Sequence, residues 1–399
     1  MPDAVACRRC CKKLIFSQEQ IPVFLPHILI KPISTMESLE QFHQKISERS
    51  KTYIGYPVAT DYDYSELYPL MQYSINNVGD PFIESYDMQC KSFEREVVSF
   101  YAEFFNAPAN NHWGYVTNGG SEGNLYALYL ARELYPNGIV YYSEATHYSV
   151  QKNLHLLNMK SIVIRSQPNG EMDYEDLAQM IQLNRQQSVI IMANIGTTMT
   201  EAKDSVPTIK ETLNKYAIKS SYIHCDAALA GSYLPLLGAS DFDFAHGADS
   251  IAISGHKFFG SPITNGVVLV KKSYKDRIGR SINYIGTLDT TITGSRSGMN
   301  ALIVWYAIKK WGREGMLKRT MTSLENAAHL RVHLNAIGVE AWSNPNALTV
   351  VMPKPSDEIC NKWQLATDND IAHVICMPGI SREKLDEFIE DMKMSQTHR

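Results

Sequence analysis

His224-Cys-Asp226-Ala-Ala228 and Ser254-Gly-His-Lys257 each stand at the end of a short segment that reads as a strand, 221–225 and 249–253, and the lysine follows the aspartate by 31 residues. A lysine directly after one strand, and an acid at the end of an earlier one, are the two groups that pyridoxal phosphate requires. The lysine must lose its proton and attack the cofactor aldehyde. The acid must stay ionised and face the pyridine nitrogen, whose positive charge makes the ring an electron sink when a bond to a substrate α-carbon breaks. Either motif alone is weak. In this order and spacing they point to an α/β enzyme built around that cofactor.

Upstream lies Thr117-Asn-Gly-Gly-Ser-Glu-Gly-Asn124, between a strand-like Trp113-Gly-Tyr-Val-Thr117 and a helix-like stretch from Leu125. A glycine-rich turn that opens a helix presents backbone N–H groups at the positive end of the helix dipole, where a phosphate binds well. Gly119, Gly120 and Ser121 are the candidates for that grip. The plainer reading is that the glycines only shape a turn; Asp226 and Lys257 downstream favour the phosphate. His147, in Glu144-Ala-Thr-His-Tyr-Ser149, follows the apolar run Ile139-Val-Tyr-Tyr142. A histidine at a strand's carboxyl end in an α/β sheet lies where ligands bind. Its flat ring can stack on the pyridine and still reach a substrate carboxylate.

Strand and helix patterns alternate from about 93 to 270, as in a mostly parallel sheet covered by helices. The strand candidates are 113–117, 139–142, 161–164, 188–193, 221–225, 249–253 and 265–270. Further on, 305–313 reads as helix, and 347–352 and 371–376 as strands of a smaller lobe. Residues 51–92, rich in Tyr, Asp and Pro, read as loops with short helices. The expected division is an extension dispensable to catalysis over 1–35, an N-terminal segment over 36–92, a large cofactor-binding domain over 93–290 and a small C-terminal domain over 291–399.

Composition is that of a soluble globular protein: 399 residues, 44% hydrophobic and 20% charged. A formal net charge of −4 offers no basic field for nucleic acid or anionic lipid. No apolar run reaches the ~18 residues that span a bilayer, so neither nucleic acid nor membrane is expected as a partner. Seven scattered cysteines form no disulfide framework, which suits a reducing cytoplasm. Cys7, Cys10 and Cys11 cluster near the start without a second pair at zinc-finger spacing, and no metal site is expected.

The chain resembles the group II pyridoxal-phosphate-dependent amino-acid decarboxylases, and within them the bacterial histidine and plant serine decarboxylases. The likeness runs from about 37 to 393 and rests on Ile54-Gly-Tyr-Pro57, Ser74-Ile-Asn-Asn-Val-Gly-Asp80, Trp113-Gly-Tyr-Val-Thr-Asn-Gly-Gly120 and Thr146-His-Tyr-Ser-Val150. It continues through Asn194-Ile-Gly-Thr-Thr198, the two opening motifs, Thr293-Gly-Ser-Arg296 and Asp370-Ile-Ala-His373. The resemblance implies a fold-type I α/β architecture: a seven-stranded, mostly parallel central sheet with a smaller C-terminal α+β domain. It implies a homodimer whose residues 36–92 contact the partner subunit. It makes Lys257 the lysine bonded to the cofactor, Asp226 the partner of the ring nitrogen and His147 the stacked ring. Ala228, two residues from Asp226 and so on the same strand face, packs against the opposite ring face. Thr197, Ser254 and His256 are carried over as further cofactor contacts. Tyr284, within 282–296, which is similar to the family's mobile loop, is a candidate to touch the substrate and return its proton.

Two departures bear on substrate choice. Ser297 and Met299 stand where the family has Asn and His, and Thr264-Asn265-Gly266 replaces Pro-Cys-Gly. Neither departure is expected to touch the cofactor core. The segments 194–200 and 261–263 resemble the histidine branch, while 363–366 and 374–378 resemble the serine branch. The expected reaction is decarboxylation of L-histidine to histamine, with L-serine to ethanolamine as the alternative. An aminotransferase or a non-catalytic relative fits the motifs less well.

Overall fold

The computed structural model describes residues 38–84, 86–282 and 287–397. Contacts divide the chain into two units, Met1–Ser50 and Lys51–Arg399. Cys7, Cys10, Cys11 and most of the expected extension lie outside the described residues. What is described of the first unit is mainly helix α1 (Leu39–Ser50), on which Leu39, Phe42 and Ile46 stand exposed.

The second unit opens with a 3-10 turn over Ser65–Gln72, strand β1 (Asn76–Val78) and helix α2 (Lys91–Phe104). Strand and helix then alternate: β2 (Trp113–Thr117), α3 (Gly120–Leu134), β3 (Ile139–Ser143), α4 (Ser149–Leu157), β4 (Lys160–Ile164), α5 (Tyr174–Leu183), β5 (Val189–Asn194) and α6 (Val206–Lys215). They are followed by β6 (Ser221–Asp226), β7 (Ser250–Ser254), the single turn α7 (Gly255–Phe258) and β8 (Gly266–Val270). β2 to β8 form one seven-stranded sheet in the order β2-β8-β7-β6-β5-β3-β4. Its strands match the seven expected segments to within a residue or two. Only β8 runs against its neighbours; the pairings among β3, β4, β5, β6 and β7 are parallel.

β2, β3, β5, β7 and β8 are buried at every residue. That explains why they read as continuous apolar runs, since helices cover both faces of the sheet. On one face Val97, Tyr101, Phe105, Ile251 and Ile303 share a single apolar core, each large side chain there contributing about 1.5–3 kcal/mol.

Beyond the sheet come α8 (Lys272–Lys275), β9 (Arg280–Ile282), β10 (Thr287–Asp289), β11 (Ser295–Ser297) and the long helix α9 (Gly298–Ala336). α9 contains the expected helix 305–313 and breaks its line at Gly312, whose φ of 54° favours a residue without a β-carbon. β12 (Thr349–Pro353), α10 (Asp357–Trp363), β13 (Ala366–Asp368), β14 (Ile371–Ile375) and α11 (Arg382–Thr397) complete the chain. β12, β14 and β13 form the smaller antiparallel sheet. Arg296 is buried against Glu94, which also accepts from Asn77 Nδ2 and the Val116 backbone N–H. A buried pair of this kind costs desolvation; the two terminal nitrogens of Arg296 offset it by bonding Glu94, the Gly79 carbonyl and Thr291, while Nε has no partner among the described residues. The pair pins the paired β1 and β11 to α2 and β2.

Candidate active site

The parallel strands end on one cavity of about 570 Å³. Ligands of open α/β sheets sit at such carboxyl ends. Gly119, Gly120, Ser121, His147, Thr197, Asp226, Ala228, Ser254, His256 and Lys257 all line it. The sequence candidates for the site thus meet in space, except Tyr284, which lies outside the described residues.

Lys257 stands on α7, the turn that β7 runs into, and keeps part of its side chain open to the cavity. Enclosure around the amine disfavours the ammonium form and holds its pKa below the usual lysine value, against the opposing pull of Asp226 and Glu201. A neutral amine is a nucleophile; an ammonium is not. Asp226 is the last residue of β6 and is nearly buried. Its Oδ2 accepts from Asn124 Nδ2 at 2.6 Å, and its Oδ1 from the Ala228 backbone N–H at 3.2 Å. Two donors on four lone-pair sites leave capacity for a protonated ring nitrogen.

His147 follows β3 and packs beside Tyr148, ring centroids 4.3 Å apart. Burial pushes its pKa down, partly offset by Asp226. The Ser149 backbone N–H points at Nδ1 at 3.3 Å and the Ser149 hydroxyl lies 2.8 Å from it. Nδ1 is therefore the acceptor, and the proton of the neutral ring sits on Nε2. His256 has the opposite tautomer. Its Nδ1 donates to the Asn265 carbonyl at 3.1 Å, leaving Nε2 with a free lone pair, and burial lowers its pKa.

At the other end of the cavity α3 begins without a side-chain cap. Gly119 has φ +149°, and a β-carbon there would meet nothing within 4 Å. Gly120 has no such room: its β-carbon would lie 2.6 Å from Ser254 Oγ. An uncapped helix start fronted by glycines fits a phosphate. Reactive amine, buried carboxylate and phosphate cradle thus suit pyridoxal phosphate. Thr197 lines the wall with its hydroxyl engaged by the Ala202 backbone N–H at 3.0 Å and by Thr200 Oγ1 at 2.9 Å.

Two expectations need correction. Ala228 does not share a strand with Asp226, because β6 ends at Asp226 and Ala228 lies in the following turn. It reaches the cavity through that turn, held by its N–H bond to the carboxylate. The Thr264-Asn265 departure does touch the core: Thr264 lines the cavity, and the Asn265 carbonyl accepts from both Gly255 N–H and His256.

Other lining residues had no role assigned from sequence. Asn194 and His373 lay in segments quoted for the family likeness and Asn124 in the glycine-rich turn, but only tertiary structure shows what they bond. Asn194 Nδ2 donates to Asp204, whose buried carboxyl is pushed up to about 6 by desolvation. His373 directs its two ring nitrogens at the Met199 and Gly55 carbonyls, 2.9 and 3.0 Å away. Among the described residues no group of three or more His, Cys, Asp or Glu could hold a metal ion. Nor is any described helix long and apolar enough to cross a membrane.

Comparison with known proteins agrees with this geometry. Residues 69–351 match the family described as pyridoxal-dependent decarboxylase conserved domain. A histidine decarboxylase of Mesorhizobium japonicum is 48% identical over 357 residues, covering 89% of this chain and 96% of that protein. A histidine decarboxylase of Acinetobacter baumannii is 44% identical, covering 89% and 94%. The crystal structure of L-methionine decarboxylase from Streptomyces sp. 590 superposes with a TM-score of 0.81 at 25% identity, covering 89% of this chain and 93% of that one. With its lysine, its carboxylate and its helix start meeting where the strands of such a sheet end, the chain belongs to the pyridoxal-dependent decarboxylase family.

Proposed function

We propose that this enzyme removes the α-carboxylate of L-histidine, giving histamine and carbon dioxide. The observation that carries the reading is the meeting of Lys257, Asp226 and His147 in one enclosed cavity. The amino acid follows from the relatives, which bear the name histidine decarboxylase at 44–48% identity over most of the chain.

Pyridoxal phosphate, when bound, supplies the electron sink for the pair left as the carboxylate departs. The chain's own work is to bind, orient and manage protons. Gly119, Gly120 and Ser121 hold the phosphate at the start of α3. Lys257 gives up its proton more readily than an ordinary lysine because its surroundings disfavour the ammonium. Asp226 would pair with the ring nitrogen and favour its protonated form. His147 would cover one face of the ring, with Nε2–H free to meet the substrate carboxylate, and Ala228 would pack on the other. Tyr284 is the proposed source of the proton returned to the α-carbon.

L-Serine remains as a second reading on one observation. Ala366 and Ile375, from the two stretches that resemble the serine branch, line the cavity. A pocket built to hydrogen-bond one of these side chains leaves its own polar groups unpaired with the other. Carbon dioxide release is therefore expected from L-histidine, with L-serine at least about a hundredfold slower in kcat/KM. Faster ethanolamine formation would replace histidine by serine. Release from neither would sink both readings.

We propose further that the enzyme is a homodimer with residues 36–92 against the partner subunit. Tyr68, Met71, Tyr73, Phe82 and Met88 are 42–59% exposed, an apolar surface suited to a second copy. The division into a cofactor-binding lobe over 93–290 and a smaller lobe over 291–399 is proposed on the separate sheets. A cytoplasmic location is proposed because Cys90, Cys225, Cys360 and Cys376 are free thiols.

A further inference from the structure

Behind Asp226 lies a line of buried polar side chains that the mechanism above does not use, of which Asn124 alone lines the cavity. Asn124 sits on α3, His224 on β6 two residues before Asp226, and Ser250 at the start of the neighbouring β7. Tyr222, two residues further back on β6, completes it. All are at most 2% exposed. Asn124 Oδ1 meets His224 Nε2 at 2.9 Å, His224 Nδ1 meets Ser250 Oγ at 2.8 Å, and Tyr222 OH donates to Ser250 Oγ at 2.9 Å.

Hydrogen-bond chemistry allows one direction along this line once Asp226 is a carboxylate. A carboxylate only accepts, so Asn124 must turn its Nδ2 toward it, at 2.6 Å. The amide oxygen then faces His224 and only accepts, so His224 Nε2 must carry a proton. A neutral ring has one N–H, which leaves Nδ1 bare. Ser250 must therefore donate its hydroxyl proton to Nδ1, and its oxygen takes the proton of Tyr222. Complete burial keeps the imidazole neutral, with its pKa lowered to about 4. Every donor in the line points toward Asp226, and hydrogen bonds aligned in a row polarise one another. A charge-assisted bond at the end of such a line is stronger than a neutral one.

We propose that His224 is a positioning residue for the decarboxylation: acting through Asn124, with Ser250 and Tyr222 fixing its tautomer, it holds the Asp226 carboxyl group aimed at the ring nitrogen. The inference rests on the role assigned to Asp226 above. The polarity of the line is a property of the chain itself and can be read without substrate or cofactor. It also accounts for a histidine enclosed completely between strands, where an aliphatic residue would pack without needing partners.

The test has two arms. In the first, the wild-type apoprotein labelled with 15N-histidine is examined by NMR, with the His224 signal assigned by its loss in His224→Gln. The expected result is the Nε2–H tautomer, unchanged between about pH 6 and 9; an Nδ1–H tautomer or an imidazolium overturns the proposal. In the second, His224→Gln, which keeps an N–H toward Asn124, is compared with His224→Leu, which has none. His224→Leu is expected to lose about tenfold or more in kcat. It should also bind pyridoxal phosphate more weakly and shift the pH titration of the bound cofactor's absorbance. His224→Gln should recover most of all three. Wild-type behaviour in folded His224→Leu, or equal losses in both folded variants, overturns the positioning role. If His224→Leu does not fold, the first arm decides. Should no amino acid be turned over by the wild type, the proposed function fails while the tautomer measurement still stands.

Discussion

A β-carbon on Gly120 would lie 2.6 Å from the hydroxyl oxygen of Ser254, so the start of α3 and the end of β7 meet without room for a methyl group. Gly120→Ala must displace the Ser254 hydroxyl from its place in the cavity wall or shift the helix start. Overpacking of this kind costs about 1–3 kcal/mol. Titration of the apoprotein with pyridoxal phosphate should show affinity about tenfold weaker or worse, because 1.4 kcal/mol is a factor of about ten. Unchanged affinity would remove the phosphate from this end of the cavity.

Lys257→Met should abolish turnover and yet stabilise the apoprotein. The lowered lysine pKa means that the folded state disfavours the ammonium form. Folding is therefore penalised at neutral pH, and the penalty fades as pH rises toward ~10.4, where the unfolded chain also loses the proton. The variant's gain in Tm over wild type should shrink between about pH 8 and 10. A gain that grows with pH would contradict the enclosure of the amine.

Asp226→Asn should fold and bind cofactor but lose about a hundredfold or more in kcat, since a neutral amide does not keep the ring nitrogen protonated. Steady-state kinetics with the best substrate check this. An unchanged kcat would exclude the carboxylate from the role given to it.

His147, His224, His256 and His373 all have pKa values below the usual histidine range, and in each case desolvation leads. The unfolded chain then binds more protons than the folded one as pH falls below about 6.5, so stability must fall with it. For His224 the loss continues to about 4. Calorimetry of the apoprotein should give a Tm that drops steadily from pH 7 toward pH 5. A flat profile would mean that burial does not lower the pKa of these rings.

Light scattering should find a dimer, and cutting the chain to begin at Met36 should leave both dimer and activity intact. A fully active monomer would contradict the proposed role of residues 36–92. Loss of activity on truncation would instead bring Cys7, Cys10 and Cys11 back into consideration.

The central sheet was legible because all its strands but the edge strand β4 are largely buried, and a strand buried on both faces is a short apolar run between turn residues. The site was legible through residues whose chemistry is unusual in a plain core: a lysine after a strand, a carboxylate at a strand end, glycines before a helix. His224 was quoted beside Asp226, yet its partner Asn124 comes from a different element, and no spacing along the chain reveals that pairing. Ala228 lines the cavity, but not by strand alternation, which stops at Asp226. The influence of Asn265 acts through its backbone carbonyl, which residue type does not advertise.

The Gly55 carbonyl and His373 Nε2, 318 residues apart in the chain, are 3.0 Å apart in space, and both residues line the cavity. A growing polypeptide has no such wall until synthesis has passed residue 373. The pocket is therefore open on this side in any partly made chain, and this wall contributes nothing to cofactor binding until its last strand has been added.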